Sequence, residues 1–199
     1  MKHELIRQIL LAPVVAAALW AGTANATVVT LDFDSVATGS DIINNPLVTA
    51  AGTITASATG NSSIFLAAFP GGTGDGLRHS QSVDSDYALL SFDFDATSVS
   101  FLYAGFTSGD FLGEILDAGM NVIGSFFDDD TNNDLPGGPV TLSAAGIRYF
   151  RFLDSPSSGT QSGVDNVVIT VPEPAGISLL GLGLLGLAAA RRRARGSIS

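Results

Sequence analysis

The sequence predicts an all-β body held between two apolar ends. Three observations lead there. Short runs rich in Val, Ile, Phe, Tyr and Thr recur along residues 27–170, and clusters of Gly, Asn, Asp, Ser and Pro separate them. No stretch of twelve residues holds a helical apolar stripe, although "DFLGEILDAGM" would pass for a turn or two of helix. Many short strands with polar turns make a β-sandwich or a barrel.

The N-terminal end comes first. Met1 to Arg7 carries Lys2 and Arg7, an apolar run follows from Ile9 to Ala21, and "TANA" closes the segment. Charged, apolar, then small is the order of a secretory signal peptide. Ala24 and Ala26 occupy the −3 and −1 positions of a cleavage site, because the peptidase pocket takes only small side chains. Cleavage is therefore expected between Ala26 and Thr27, which makes residues 1–26 a signal peptide and the protein exported.

The strands follow in order. "VVTLDF", "YALLSFDF", "SVSFLYA", "NVIGSFF", "RYFRFL" and "NVVITV" are the runs. In Ser98–Ala104, Val99, Phe101 and Tyr103 share one face, as the two-residue period of a strand requires. "GNSS", "PGGTGDG", "DDDTNND", "LPGGP" and "SPSSGTQSG" supply the turns. No internal repeat stands out. About 145 residues suffice for one domain with a real core.

Charge narrows the partners. Between Thr27 and Pro172 there are 17 acidic residues against Arg78, Arg148 and Arg151, a net charge of −14, with no lysine. Such a surface repels nucleic acid and anionic lipid headgroups and attracts divalent cations. The absence of cysteine excludes disulfides, thiolate metal sites and thioether lipid attachment.

The C-terminal end reverses the charge. Pro172, Glu173 and Pro174 precede sixteen apolar or small residues from Ala175 to Ala190, then Arg191, Arg192, Arg193 and Arg195. As a helix the apolar stretch is about 24 Å long, slightly short of the roughly 30 Å hydrocarbon thickness. Snorkelling arginines make up the difference. The positive-inside rule keeps the arginines cytoplasmic and places the body across the membrane. The prolines end the last strand and hold the junction extended, as a processing enzyme needs.

This signal peptide, Val-Pro-Glu-Pro, Gly/Leu helix and terminal Arg cluster resemble the PEP-CTERM sorting signal over residues 171–195. The resemblance implies recognition and processing by an exosortase-type membrane protease, with Pro172, Glu173 and Pro174 as the signature and the arginines as a stop-transfer charge. The rival is a permanent single-pass anchor. The resemblance also covers "LGEILDAGMNVIGSFFDDD" and "VDNVVITVPEP", which are similar to the jelly-roll domains found before such tails. It therefore implies a single jelly-roll-like β-sandwich over residues 27–170. The precursor would be anchored in the inner membrane by its C-terminal helix after signal peptidase and the secretion machinery had acted. The mature protein would then reside at the cell surface or in the extracellular matrix. Similar sandwiches bind carbohydrate or serve as plain structural domains, so extracellular polysaccharide is a candidate partner.

Jelly-roll modules of this kind also imply a structural calcium ion between opening and closing strands. Asp32 and Asp34 on the former and Asp165 on the latter are its candidate ligands. Ca²⁺ takes six to eight oxygens at flexible angles, which carboxylates and carbonyls provide. The competing reading leaves Asp32 and Asp34 facing water and Asp165 shaping a turn with Asn166.

Catalytic candidates are few. His79 is the body's single histidine, set among Ser80, Ser82, Asp84 and Asp86, and it reads as a solvated loop residue. No nucleophile elbow accompanies it. Glu114 and Asp117, bracketing Ile115 and Leu116, are the best pair for glycoside hydrolysis, which needs one buried carboxyl of raised pKa. Asp128, Asp130, Asn132 and Asp134 alternate like the start of an EF-hand loop. Asn133 stands where glycine is needed, however, and Pro139 where a bidentate carboxylate is needed. The sequence thus favours a non-catalytic surface or matrix protein over a secreted glycan-acting hydrolase. Exposed aromatics in a row would favour sugar binding.

Overall fold

The computed structural model describes residues 26–35, 46–60, 62–69, 74–80, 86–105, 110–129, 137–155 and 161–172, with Gly183 and Gly186. Residues 27–171 form a compact unit by themselves. The expected signal peptide (apart from Ala26), Glu173, Pro174, the tail helix apart from the two glycines, the four arginines and the acidic run 130–136 lie outside the described residues.

The unit is all-β. Its strands are β1 (Thr27–Leu31), β2 (Leu47–Val48), β3 (Thr53–Ala58), β4 (Ser63–Ala68), β5 (Asp75–Ser80), β6 (Ala88–Gly105), β7 (Asp110–Leu116), β8 (Val122–Asp128), β9 (Gly137–Ser155) and β10 (Gln161–Val171). All pairings are antiparallel. The ladder runs β4-β5-β10-β6-β9-β7-β8, with β1 on β10, β3 on β6 and β2 on β3.

Two long strands fold this ladder over. The first part of β6 pairs with β3, Ile54 opposite Phe92, whereas its last part pairs with β10, Val164 opposite Tyr103. Strand β9 follows the same bend: Leu142 opposes Val99, while Phe152 opposes both Ala88 and Gly113. The register between β6 and β9 shifts between Ser91 and Ala96 and again before Ser98. Such irregularities let one strand serve two sheets. The outcome is one half-sheet of β4, β5, β10 and the ends of β6 and β9 that meet there, and another of β3, β6, β9, β7 and β8.

The two half-sheets close on one apolar core. Phe101 from the first meets Phe150 from the second at 4.7 Å between ring centroids, and Phe111 at 5.9 Å. Val99, Val164, Val167 and Ile169 join Leu90, Ile115, Ile147 and Phe152 in the same buried cluster. Each fully buried side chain of this kind contributes about 1.5–3 kcal/mol over its exposed state. This arrangement is consistent with a β-sandwich.

Two expectations change. "DFLGEILDAGM", which would pass for a helical turn or two, is strand β7 through Leu116 followed by a turn. Its period-2 face wins: Phe111, Gly113 and Ile115 are buried, and Leu112 and Glu114 are half-buried. His79 is no loop residue. It lies on β5 and is fully buried, because β4 and β10 flank that strand.

Candidate functional site

Alternation along β9 builds the most functional-looking surface. Phe150 and Phe152 point into the core, so Tyr149, Arg151 and Leu153 stand on the opposite, outer face of the second half-sheet. The register extends that face sideways. Leu89 opposes Arg151, which opposes Glu114, which opposes Ser125. One row along, Leu153 opposes Leu112, and Leu112 opposes Phe127.

An ion pair sits at the centre of the face. Arg151 Nε donates to Glu114 Oε2 at 2.5 Å, with side-chain exposures of 25% and 12%. The Arg151 guanidinium lies 5.1 Å from the Tyr87 ring centroid, a cation–π contact that fixes both side chains. Tyr87 is held in turn by backbone bonds to Thr59, its N–H donating to Thr59 Oγ1 at 2.9 Å. Phe127, on edge strand β8, is 54% exposed. The face therefore offers three aromatic rings, those of Tyr87, Tyr149 and Phe127, around a fixed donor–acceptor pair. The alternation in "RYFRFL" already separates Tyr149 and Arg151 from Phe150 and Phe152. The pairing of Arg151 with Glu114 needed the register.

The carboxylate pair suggested for hydrolysis is not assembled. Glu114 is held by Arg151, and Asp117 is a half-buried turn residue. Hydrogen bonds from the Asn121 side chain and backbone, and from Gly119 N–H, hold the Asp117 carboxyl below its ordinary pKa. A general acid needs the opposite shift. His79 lies in the core with its pKa lowered to about 4, chiefly by burial, against an opposing pull from Asp86.

The expected calcium ligands are not gathered either. Strand β1 stops at Leu31, and Phe33–Ser35 form a 3-10 turn, so the two-residue period no longer aligns Asp32 with Asp34. Asp34 N–H donates to Asp32 Oδ1 at 3.1 Å, while Asp34 Oδ1 accepts from Asp75 N–H at 2.5 Å. Asp165 is buried at a bulge in β10, where its Oδ1 accepts from Asn166 N–H at 2.7 Å. Among the described residues no group of three or more His, Cys, Asp or Glu is placed to hold a metal ion. These three carboxylates do not fit a calcium shell by themselves. Asp128, the first residue of the EF-hand-like run, ends β8 and accepts from the Tyr103 hydroxyl.

The junctions of the body are described. Ala26 is exposed and precedes β1, whose Thr27 is paired with Val171, and Pro172 is exposed directly after that strand. The two ends of the body thus leave it side by side. Among the described residues no helix is long and apolar enough to cross a membrane.

Several solved structures resemble the chain at low identity. A K2 cleaved adhesin domain of Lys-gingipain aligns at 15% identity over 73% of this chain and 100% of that one, with a TM-score of 0.48. A family 29 carbohydrate-binding module from Piromyces equi aligns at 10% identity, 74% and 91% coverage and a TM-score of 0.46. An arabinose-bound α-L-arabinofuranosidase aligns at 11% identity over 75% of this chain and 27% of its own, again at 0.46. No curated protein matches the chain in sequence. A family profile does match the end of the chain, across the last residues of β10 and the apolar tail. It is the PEP-CTERM protein-sorting motif, at residues 170–193, which implies an exported surface protein made as a membrane-anchored precursor and recognised by an exosortase.

Proposed function

We propose that this chain is an exported, non-catalytic surface or matrix protein whose tail is processed by an exosortase and whose body associates with extracellular polysaccharide. The sorting motif at residues 170–193 carries the reading. It begins inside the closing strand, and exposed Pro172 follows Val171 at once. In the chain, the closing strand therefore ends at the residue before the Pro-Glu-Pro peptide that the enzyme would grip. Signal cleavage after Ala26 leaves β1 whole, since Thr27 is its first residue. The jelly-roll assignment of the sandwich and the spanning helix over residues 175–190 belong to the same proposal.

The non-catalytic part rests on the carboxylates. Glu114 is engaged by a guanidinium, and Asp117 is pushed the wrong way for an acid. The polysaccharide part rests on the aromatic face around Arg151.

Intact-mass spectrometry of the protein recovered from its native host tests the reading. Mature material should begin at Thr27 and lack Leu182 to Arg195. Replacing Pro172, Glu173 and Pro174 by Ala should leave the unprocessed form in the membrane. Mature protein that uniformly keeps the arginine cluster would instead be a permanently anchored one.

A further inference from the structure

We infer that the glycan taken by the outer face of β9, β7 and β8 is a neutral one, not a uronate, sulfated or phosphorylated polymer. The inference rests on the polysaccharide reading above and narrows its ligand class.

The first argument is a census of cations. From Thr27 to Val171 the chain has three basic side chains apart from His79, all arginines. Each is engaged within the fold. Arg78 donates from Nη2 to Gln161 Oε1 at 2.7 Å and lies 5.8 Å from the Phe65 ring centroid. Arg148 pairs with Asp95 at 3.4 Å. Arg151 pairs with Glu114 at 2.5 Å. His79 is buried and neutral near pH 7. The residues outside the described ones in this span include no lysine, arginine or histidine, so no segment elsewhere in the body supplies a free cation. Anionic polymers are held by uncompensated Lys and Arg, which repay the desolvation of the anion. An incoming uronate carboxylate would instead meet Glu114 and a body of net charge −14.

The second argument is what the face does offer. A pyranose ring presents C–H groups on its faces and hydroxyls at its rim, and each hydroxyl both donates and accepts. Tyr87, Tyr149 and Phe127 supply ring faces for the former. For the latter, the ion pair presents a donor and an acceptor side by side. The bond to Glu114 uses Arg151 Nε, so the two terminal guanidinium nitrogens remain donors among the described residues. Because Arg151 is already neutralised and fixed, hydroxyl binding does not require it to give up its partner. Specificity would then come from polar groups held by the sheet, and affinity from the rings.

Affinity electrophoresis and calorimetry of the purified exported protein test the inference, with soluble β-glucan, galactomannan and polygalacturonate as probes, each in EDTA. At least one neutral polymer should bind and polygalacturonate should not. Tyr149→Ala and Phe127→Ala should each weaken neutral binding about tenfold or more while the melting temperature moves by no more than a few degrees. Comparable or tighter binding of polygalacturonate overturns the neutral assignment but leaves the polysaccharide reading intact. Neutral binding untouched by both variants moves the site off this face. Binding of none of the three removes the polysaccharide reading and this inference with it.

Discussion

The imidazole of His79 sits in the core, 6.3 Å from the Phe152 ring centroid and edge-on to it, with neither nitrogen hydrogen-bonded. Its cross-strand partner Ser162 and the nearby Asp86 also bury a side-chain oxygen without a partner. A buried polar atom left unsatisfied costs about 1–3 kcal/mol, so this end of the core is a weak point of the fold. Charging the ring there is costlier still. The folded pKa is about 4 against an ordinary 6.5, so the unfolded chain takes up the proton first as pH falls. Titration of His79 thus costs the folded state nothing above pH 6.5, and stability is lost progressively as pH falls to 4. The lost share is about 3 kcal/mol at 1.36 kcal/mol per pH unit. His79→Leu should be more stable than the native chain by about 1–3 kcal/mol at pH 7. The gap should widen by up to about 3 kcal/mol by pH 4, read from urea midpoints at each pH. A gap that stays constant across that range would show that the ring titrates normally.

Strand β10 is the element on which the body is organised, since β1, β5 and β6 all pair with it. Its bulge falls between Asp165 and Val168, where Asn166 takes a φ of 47°, a left-handed conformation that Asn tolerates better than most residues. Asp165 is thereby spent on the local backbone, accepting from Asn166 N–H. For that reason melting curves of the purified protein in EDTA and in millimolar calcium should coincide. A calcium-dependent rise that vanishes in Asp165→Ala would reinstate a site completed by ligands beyond the three carboxylates. Other elements show how far the sequence was legible. "SVSFLYA", "RYFRFL" and "NVVITV" declare themselves by β-branched and aromatic residues in alternation, and all three fall within strands. Strand β5 is hidden because "DGLRHS" is short and polar, and tertiary pairing on both sides overrides its weak propensity. "YALLSFDF" and "SVSFLYA" read as two separate runs, yet the chain continues from one into the other as the single bent strand β6. The same limit applies to the candidate face. Which residues of β9 point outward follows from period 2, whereas the neighbours that meet them follow from long-range register.

At the scale of the whole molecule the distribution of charge does what no single residue does. The body from Thr27 to Pro172 carries −14, while the four arginines near the C-terminus lie beyond the apolar stretch and within ten residues of the end. Acidic charge contributes little to membrane topology, whereas basic residues close to a span are retained on the cytoplasmic side. The body's lack of lysine also means that no basic segment competes with the tail for that side. In the proposed precursor, orientation would therefore depend on Arg191, Arg192, Arg193 and Arg195, and processing on orientation, because the Pro-Glu-Pro peptide would have to remain at the outer surface beside the enzyme. Replacing the four arginines with Gln removes the retention while preserving length and hydrogen-bonding capacity. The precursor should then expose its C-terminus outside in part of the population. A cysteine added after Ser199, the chain's one thiol, should react with a membrane-impermeant maleimide in the Gln variant and stay protected in the native tail. Equal protection in both would mean that the apolar stretch and the Pro-Glu-Pro junction hold the topology without the arginines.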